Sequence, residues 1–174
     1  MLILICPKSA CAVLAELLGS RWCLAVIICE ETPEDVRSAA KLAISALPPS
    51  IPLHFLAVGA AGTLAYEMVS ILRAKGRDVP YFVIVGSPAP RVGGRGGWLR
   101  RLLPRKKRDI YEARPLHGAC GLILTLEVDE ASTDRWFRLL PPISRVEPTR
   151  RTLDHLLGTR SYELGRLIAK FDNV

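Results

Sequence analysis

Met1 to Cys6 is an unbroken aliphatic run that stops at Pro7, the pattern of a strand buried on both faces of a parallel sheet. Ser9 to Leu18 then sets Val13, Leu14, Leu17 and Leu18 at helical spacing, with Gly19 as the stop. Trp22 to Cys29 reads as a second buried strand. Thr32-Pro33-Glu34-Asp35 offers a capping hydroxyl, a proline at the first helical position and acids in the first turn, which predicts a helix to about Leu47 ended by Pro48-Pro49. Leu53 to Val58 is a third apolar run. It leads into Gly59-Ala60-Ala61-Gly62 and a helix through Lys75 that stops at Gly76. Val79 to Val85 and Cys120 to Val128 predict a fourth and fifth strand, Thr133 to Leu140 a short helix, and Ile143 to Val146 a short sixth strand. A helix from about Arg160 to Phe171 closes the chain. Residues 86–114 are rich in Gly, Pro and Arg and too long for an ordinary connector, so they read as an insertion, with one amphipathic turn over Trp98 to Leu103.

Strands alternating with helices predict an α/β fold: a three-layer αβα sandwich around a mostly parallel sheet, with right-handed crossovers. The 174 residues, 49% of them hydrophobic, suit a single domain over 1–174. Sites in such sheets form at the carboxyl ends of the strands. That directs attention to Pro7 to Cys11, Glu30 to Thr32, Gly59 to Gly62, Gly86 to Pro90, Asp129 to Asp134, and the turn at Leu153 to Thr159.

Composition narrows the partners. The longest apolar runs fall well short of the roughly 18–20 residues of a bilayer span, and the first residues lack the basic start and small-residue cleavage pattern of a secretory signal. A cytoplasmic protein is the expectation. Five cysteines without zinc spacing read as reduced, mostly buried thiols, and no metal site is expected. Net charge is +7, and eight cations (Arg91, Arg95, Arg100, Arg101, Arg105, Lys106, Lys107 and Arg108) lie together with no acid among them. The basicity therefore belongs to one segment and the rest of the chain is near neutral.

The glycine turn after the third strand has two common uses, a phosphate cradle at a helix N-terminus or a nucleophile elbow. A dinucleotide fingerprint would follow the first strand, and a P-loop needs Gly-Lys-Ser/Thr, which is absent. The segment from Leu53 to Pro90 resembles the core of the thioesterases that serve polyketide, nonribosomal-peptide and fatty-acid synthases. Gly62, Ala65, Tyr66, Glu67, Met68, Leu72 and Gly76 fit the pattern of that α/β-hydrolase family without a gap, and Ser87-Pro88 follows the next strand. Ile3 to Pro7 is similar to the family's opening strand, Pro115 to Val128 to a later strand, Trp136 to a tryptophan of a short helix, and Asp154-His155-Leu156-Leu157 to the histidine segment.

The resemblance implies a compact hydrolase-like fold with residues 86–114 as a shortened, basic lid-like insertion. It also implies a degenerate site. The nucleophilic serine falls on Gly59, and the first two elbow glycines fall on Ala57 and Ala61. The acid falls at Gly86 in one branch of the family and at Asp129 in the other, and only His155 stands at a catalytic position. Pro7, Lys8 and Ala60 occupy the loops that would carry oxyanion donors. Loss of such a nucleophile costs on the order of 10⁶ in turnover, about 8 kcal/mol of barrier.

Two further readings stay open: a relocated nucleophile at Cys6, Ser9 or Ser87 with His155 as base, and an anion- or nucleic-acid-binding module built on the 91–108 cations. Apart from Trp98 those cations lack interleaved aromatics, and no nucleic-acid fold signature is present, so an acidic acyl-carrier or peptidyl-carrier partner of a synthase ranks first. The chain is expected to hold no cofactor of its own; any phosphopantetheine arrives on the substrate or partner. His54 and His117 have no partners visible in the sequence and read as structural.

Overall fold

The computed structural model describes residues 1–19, 22–91, 111 and 113–171. Along the chain these form β1 (Leu2–Cys6), α1 (Lys8–Gly19), β2 (Leu24–Ile28), α2 (Val36–Ser45), β3 (His54–Val58), a 3₁₀ turn (Gly59–Ala61), α3 (Gly62–Ala74), β4 (Tyr81–Val85), β5 (Gly121–Leu124), α4 (Glu130–Leu139), β6 (Arg145–Pro148), α5 (Leu153–Leu157) and α6 (Ser161–Ala169). All six strands join one sheet in the order β2-β1-β3-β4-β5-β6, and every pairing is parallel. The winding reverses between β1 and β3, which opens a crevice at their carboxyl ends.

Alternation along β1 explains the three layers. Leu2, Leu4 and Cys6 face one apolar cluster with Leu14 of α1 and Leu164 and Ile168 of α6, whereas Ile3 and Ile5 face another with Ala40 of α2, Met68 of α3 and Trp136 of α4. Each aliphatic side chain buried this way contributes about 1.5–3 kcal/mol. Helices thus cover both faces of the sheet, as the aliphatic runs predict.

Boundaries differ from expectation where side chains have other work. Helix α2 starts at Val36 because Asp35 is its cap, its side chain accepting from the Ser38 N–H at 3.0 Å. Thr32, the expected cap, instead donates its hydroxyl to the Ala60 carbonyl at 3.2 Å. Strand β5 ends at Leu124, since the Leu126 N–H turns to the Arg151 carbonyl and the Val128 N–H closes on that of Thr125. Helix α4 begins three residues early on an Asp129 cap, and the turn before the last helix contains α5. The amphipathic turn expected over Trp98 to Leu103 lies outside the described residues.

Arg73 binds the bottom of α3 to the chain re-entering before β5. Its guanidinium donates to the carbonyls of His117, Gly118, Val79 and Ala119 at 2.7–3.0 Å. Burial lowers its pKa from the usual arginine value, and four acceptors hold the charge in place. The two borders of the sheet are unlike. Strand β6 carries Arg145 and Glu147 as an ion pair at 2.8 Å, joined by Lys170, and ends in Pro148. Strand β2 has no charge or proline, and Val26 and Ile28 are 41% and 49% exposed.

Candidate functional site

The turn after β3 has the backbone of a nucleophile elbow. Val58 is extended, Gly59 takes φ +62°, and α3 starts at Gly62. A side chain at Gly59 would carry left-handed strain of about 1–2 kcal/mol, which glycine avoids. Gly62 is present for a different reason. A Cβ there would lie 2.2 Å from the Ser87 Oγ and 2.5 Å from its Cβ, so only glycine lets α3 approach the loop after β4 this closely.

The rest of the Gly62-to-Gly76 pattern holds α3 in place. The Tyr66 hydroxyl donates to the carbonyls of Arg114 at 2.6 Å and Leu139 at 3.2 Å, and its ring packs on Trp136 at 5.7 Å between centroids. The Trp136 indole in turn donates to the Ser87 carbonyl at 2.9 Å. Glu67 accepts from the Tyr111 hydroxyl at 2.8 Å and pairs with Arg37 of α2 at 3.5 Å. Burial, reinforced by the Glu67 carboxylate, pushes the Tyr111 phenol up, so it stays a neutral donor.

Above this frame glycines stand at the two positions to which the resemblance assigns the nucleophile and one of the acids. Gly86, the first of the two acid positions, also sits at positive φ, +57°. Leu153 at the start of α5 covers both glycines: its Cδ2 lies 3.3 Å from where a Gly59 Cβ would stand, and its Cδ1 lies 3.3 Å from that of Gly86. Thr125 closes the Gly86 side further, with its Oγ1 at 3.0 Å. One apolar side chain therefore lies in tight contact with both Cβ positions.

The remaining expected groups are not joined by a hydrogen bond among the described residues. The Asp129 carboxylate accepts from the Ser132 N–H as the cap of α4 and is exposed. No hydrogen bond links it to His155 among the described residues. The His155 N–H donates to the Thr152 hydroxyl at 3.2 Å, while its imidazole Nε2 is buried with no hydrogen-bond partner. The carboxylate that does reach α5 is Glu127, which accepts from the Leu153 N–H at 2.7 Å. Its partial burial works upward, but the neighbouring Thr125 hydroxyl and the N–H groups of Glu127 and Leu153 outweigh that and hold the carboxyl below its usual range. Sequence reasoning missed Glu127 because its role depends on where β5 stops. On the first loop Pro7 has no N–H, and the Lys8 N–H donates to the Glu30 carboxylate at 3.0 Å. An acid of the chain itself thus takes the donor that the resemblance assigns to an oxyanion. Ala60, the other donor position, lies in the 3₁₀ turn.

The alternative nucleophiles fare differently. Cys6 is fully buried, and its thiol is pushed up to about 12 by burial first and then by Cys11 and Glu30. Ser87 is fully buried against Gly62. Ser9 is exposed in the first turn of α1. His54 stacks on Trp22 at 4.6 Å at the amino end of β3, away from the site edge, and His117 serves through its carbonyl.

A groove of about 700 Å³ opens beside the elbow between the loops after β2 and β4, with Thr32, Val36, Thr63, Pro88, Arg91 and Tyr111 in its walls. The ends of the insertion meet at its rim, where the Ala113 N–H donates to the Arg91 carbonyl at 2.8 Å. Of the eight clustered cations Arg91 is described and exposed; Arg95, Arg100, Arg101, Arg105, Lys106, Lys107 and Arg108 lie outside the described residues. Among the described residues no cluster of three or more His, Cys, Asp or Glu could hold a metal, and no helix is long and apolar enough to cross a membrane.

No protein-family model matches the sequence, and no curated protein matches it. Solved structures do match in fold. The NocB thioesterase domain, in a covalent complex with a fluorophosphonate nocardicin G analogue, superposes with a TM-score of 0.72 at 20% identity over 98% of this chain and 93% of its own. The RedJ thioesterase of the prodiginine biosynthetic pathway in Streptomyces coelicolor gives 0.62 at 17% identity over 97% of this chain and 84% of its own. AB3403, a four-domain nonribosomal peptide synthetase, gives 0.74 at 13% identity; all of this chain is covered, and 19% of that one. With its parallel six-stranded sheet, its elbow after β3 and helices on both faces, the chain has the thioesterase-like α/β-hydrolase fold.

Proposed function

We propose that this is a thioesterase-like domain of polyketide, fatty-acid or nonribosomal-peptide synthesis that binds an acyl-carrier or peptidyl-carrier protein, or its acyl group, without hydrolysing it. The observation that carries the reading is the Leu153 side chain, packed against the Cβ positions of both Gly59 and Gly86. A serine hydrolase needs an oxygen nucleophile, a base to take its proton and an acid to orient that base. Here the first is a glycine, and neither candidate acid position serves His155. Its partner-facing features remain: a groove sized for a small acyl or pantetheine chain, and the clustered cations that begin at its rim. Carrier proteins are acidic, so those cations would raise the on-rate by long-range attraction that weakens with salt. The fold likeness to thioesterase domains and to a synthetase supports the setting.

The test is single-turnover hydrolysis of acyl-pantetheine and acyl-carrier thioesters beside a binding titration with the same carriers at low and high salt. Carrier binding that weakens with salt and is lost when Arg100, Arg101 and Arg105 become Glu, with no thioester cleavage, is the expected result. Cleavage abolished by His155→Ala would overturn the loss of hydrolysis and leave Ser9 as the exposed nucleophile to pursue. Tighter binding to RNA than to any carrier would move the function to nucleic acid.

A further inference from the structure

Strand β2 is bordered by β1 alone, so one side of its backbone has no neighbouring strand among the described residues. Which residues face that side follows from the ladder. The Cys23 carbonyl accepts from the Leu2 N–H at 2.9 Å, and the Cys29 N–H donates to the Cys6 carbonyl at 3.0 Å. Peptide groups alternate along a parallel strand, so Cys23, Ala25, Ile27 and Cys29 turn toward β1, and Leu24, Val26 and Ile28 turn their N–H and C=O groups outward. The outward residues also share one face of the sheet. Leu24 packs on the cluster that holds Leu14 of α1 and Leu164 of α6, while Ala25 and Ile27 pack on the opposite cluster. Val26 and Ile28 are exposed. Donors, acceptors and apolar side chains are thus arranged evenly about Val26.

We infer that this border is the docking surface for a second copy of the chain, β2 lying antiparallel to β2 about a two-fold axis at Val26. The register is self-complementary. Val26 meets Val26 of the second copy and Leu24 meets its Ile28, so that every outward residue of one strand is opposite an outward residue of the other and each pair exchanges both of its N–H···O=C bonds. The side chains brought together are all apolar, and no charge is opposed by its like within the strand. Charge beyond the strand selects the direction. Glu30 and Glu31 follow β2 directly, and antiparallel pairing sets the acids of each copy beside the neutral Trp22–Cys23 end of the other, whereas parallel pairing would stack acid on acid. Growth stops at two copies because the pairing uses up β2 and the other border, β6, carries charges and ends in a proline. The net charge of +7 opposes the encounter, so the dimer tightens as salt rises, the reverse of the response expected for an acidic carrier. The carboxyl ends of the two sheets point in opposite directions, which leaves a groove free on each side of the shared sheet. This pairing does not depend on the proposed function.

The test is sedimentation velocity of the whole chain over a range of concentrations at low and high salt. A monomer–dimer equilibrium that ends at two copies and tightens with salt is expected. Val26→Lys sets an ammonium against its own symmetry mate and should weaken the dimer by about tenfold or more, with Ile28→Lys as the second variant should the first fail to fold. The register has its own readout. In a Cys23→Ser background, Val26→Cys treated with a short bismaleimide should give a crosslink that mass mapping places between position 26 of one copy and position 26 of the other. A chain that stays monomeric at every concentration and salt, growth that continues past two copies, a dimer as tight with Val26→Lys as without it, or no self-crosslink at position 26 would each overturn the inference.

Discussion

The two sides of the elbow teach different things. Below Gly62 four large polar side chains reach neighbouring elements: Tyr66 to Arg114 and Leu139, Trp136 to Ser87, Glu67 to Tyr111 and Arg37, Arg73 to four carbonyls. Above Gly59 the pattern reverses. His155 has an orphan nitrogen, Asp129 is used up as a cap, the Lys8 N–H is held by Glu30, and a leucine fills the centre. Seating a hydrolase elbow on its sheet and running chemistry on it are therefore separable jobs, done by different residues of one short stretch. On the proposed reading the first is kept here and the second is lost.

The frame is where substitutions should cost most. Trp136→Ala removes a fully buried ring and leaves the Ser87 carbonyl without its donor, for an expected loss of about 3–5 kcal/mol in chemical denaturation. A loss under 1 kcal/mol would break the comparison by showing that α4 is not part of the seat. Gly62→Ala drives a Cβ into Ser87 and should cost about 1–3 kcal/mol. Ser87→Gly in the same protein should return much of that, and strictly additive effects would mean the close approach is not the cause.

Changes in the emptied corner should be milder in stability and sharper in chemistry. Gly59→Ser pays the positive-φ strain of about 1–2 kcal/mol and meets the Leu153 methyl. Fluorophosphonate labelling of that serine is expected only once Leu153→Ala clears the space, so rapid labelling of the single variant would refute the blocking role of Leu153. The smallest effect lies at the far end of β3. Burial first, and then the N-terminal charge, lower the His54 pKa. The unfolded chain takes up that proton below about pH 6.5 while the folded one resists, so stability should be full above that pH and fall as pH drops toward the lowered folded value. His54→Phe should flatten this slope in pH-dependent melting curves.

Much of the frame was legible in the sequence because it rests on periodicity and glycine. The aliphatic runs gave both faces of β1, β3 and β4, and Gly62 to Gly76 marked the helix that packs on them. Gly59 and Gly86 were singled out in the sequence, and both take positive φ. What sequence could not supply was the competition among nearby polar groups. Thr32 and Asp35 are both good caps, and the choice turned on the Ala60 carbonyl lying next to Thr32. Asp129 and Glu127 are both carboxylates after β5, and only the early end of that strand gives Glu127 the reach to α5. Leu153 reads as an ordinary helix residue until its two methyls are seen against two glycines 27 residues apart.

The unlike borders of the sheet bear on how the protein tolerates its own concentration. At β6, mixed charge and a proline discourage another chain from adding a strand, whereas β2 offers an uncharged, β-branched template along its outer side. The net charge of +7 keeps two copies apart at a distance, and its reach shrinks to about 8–10 Å at physiological salt. Salt that would loosen the proposed acidic partner from the cationic segment thus also removes the repulsion guarding β2, and colloidal stability should decline as ionic strength rises.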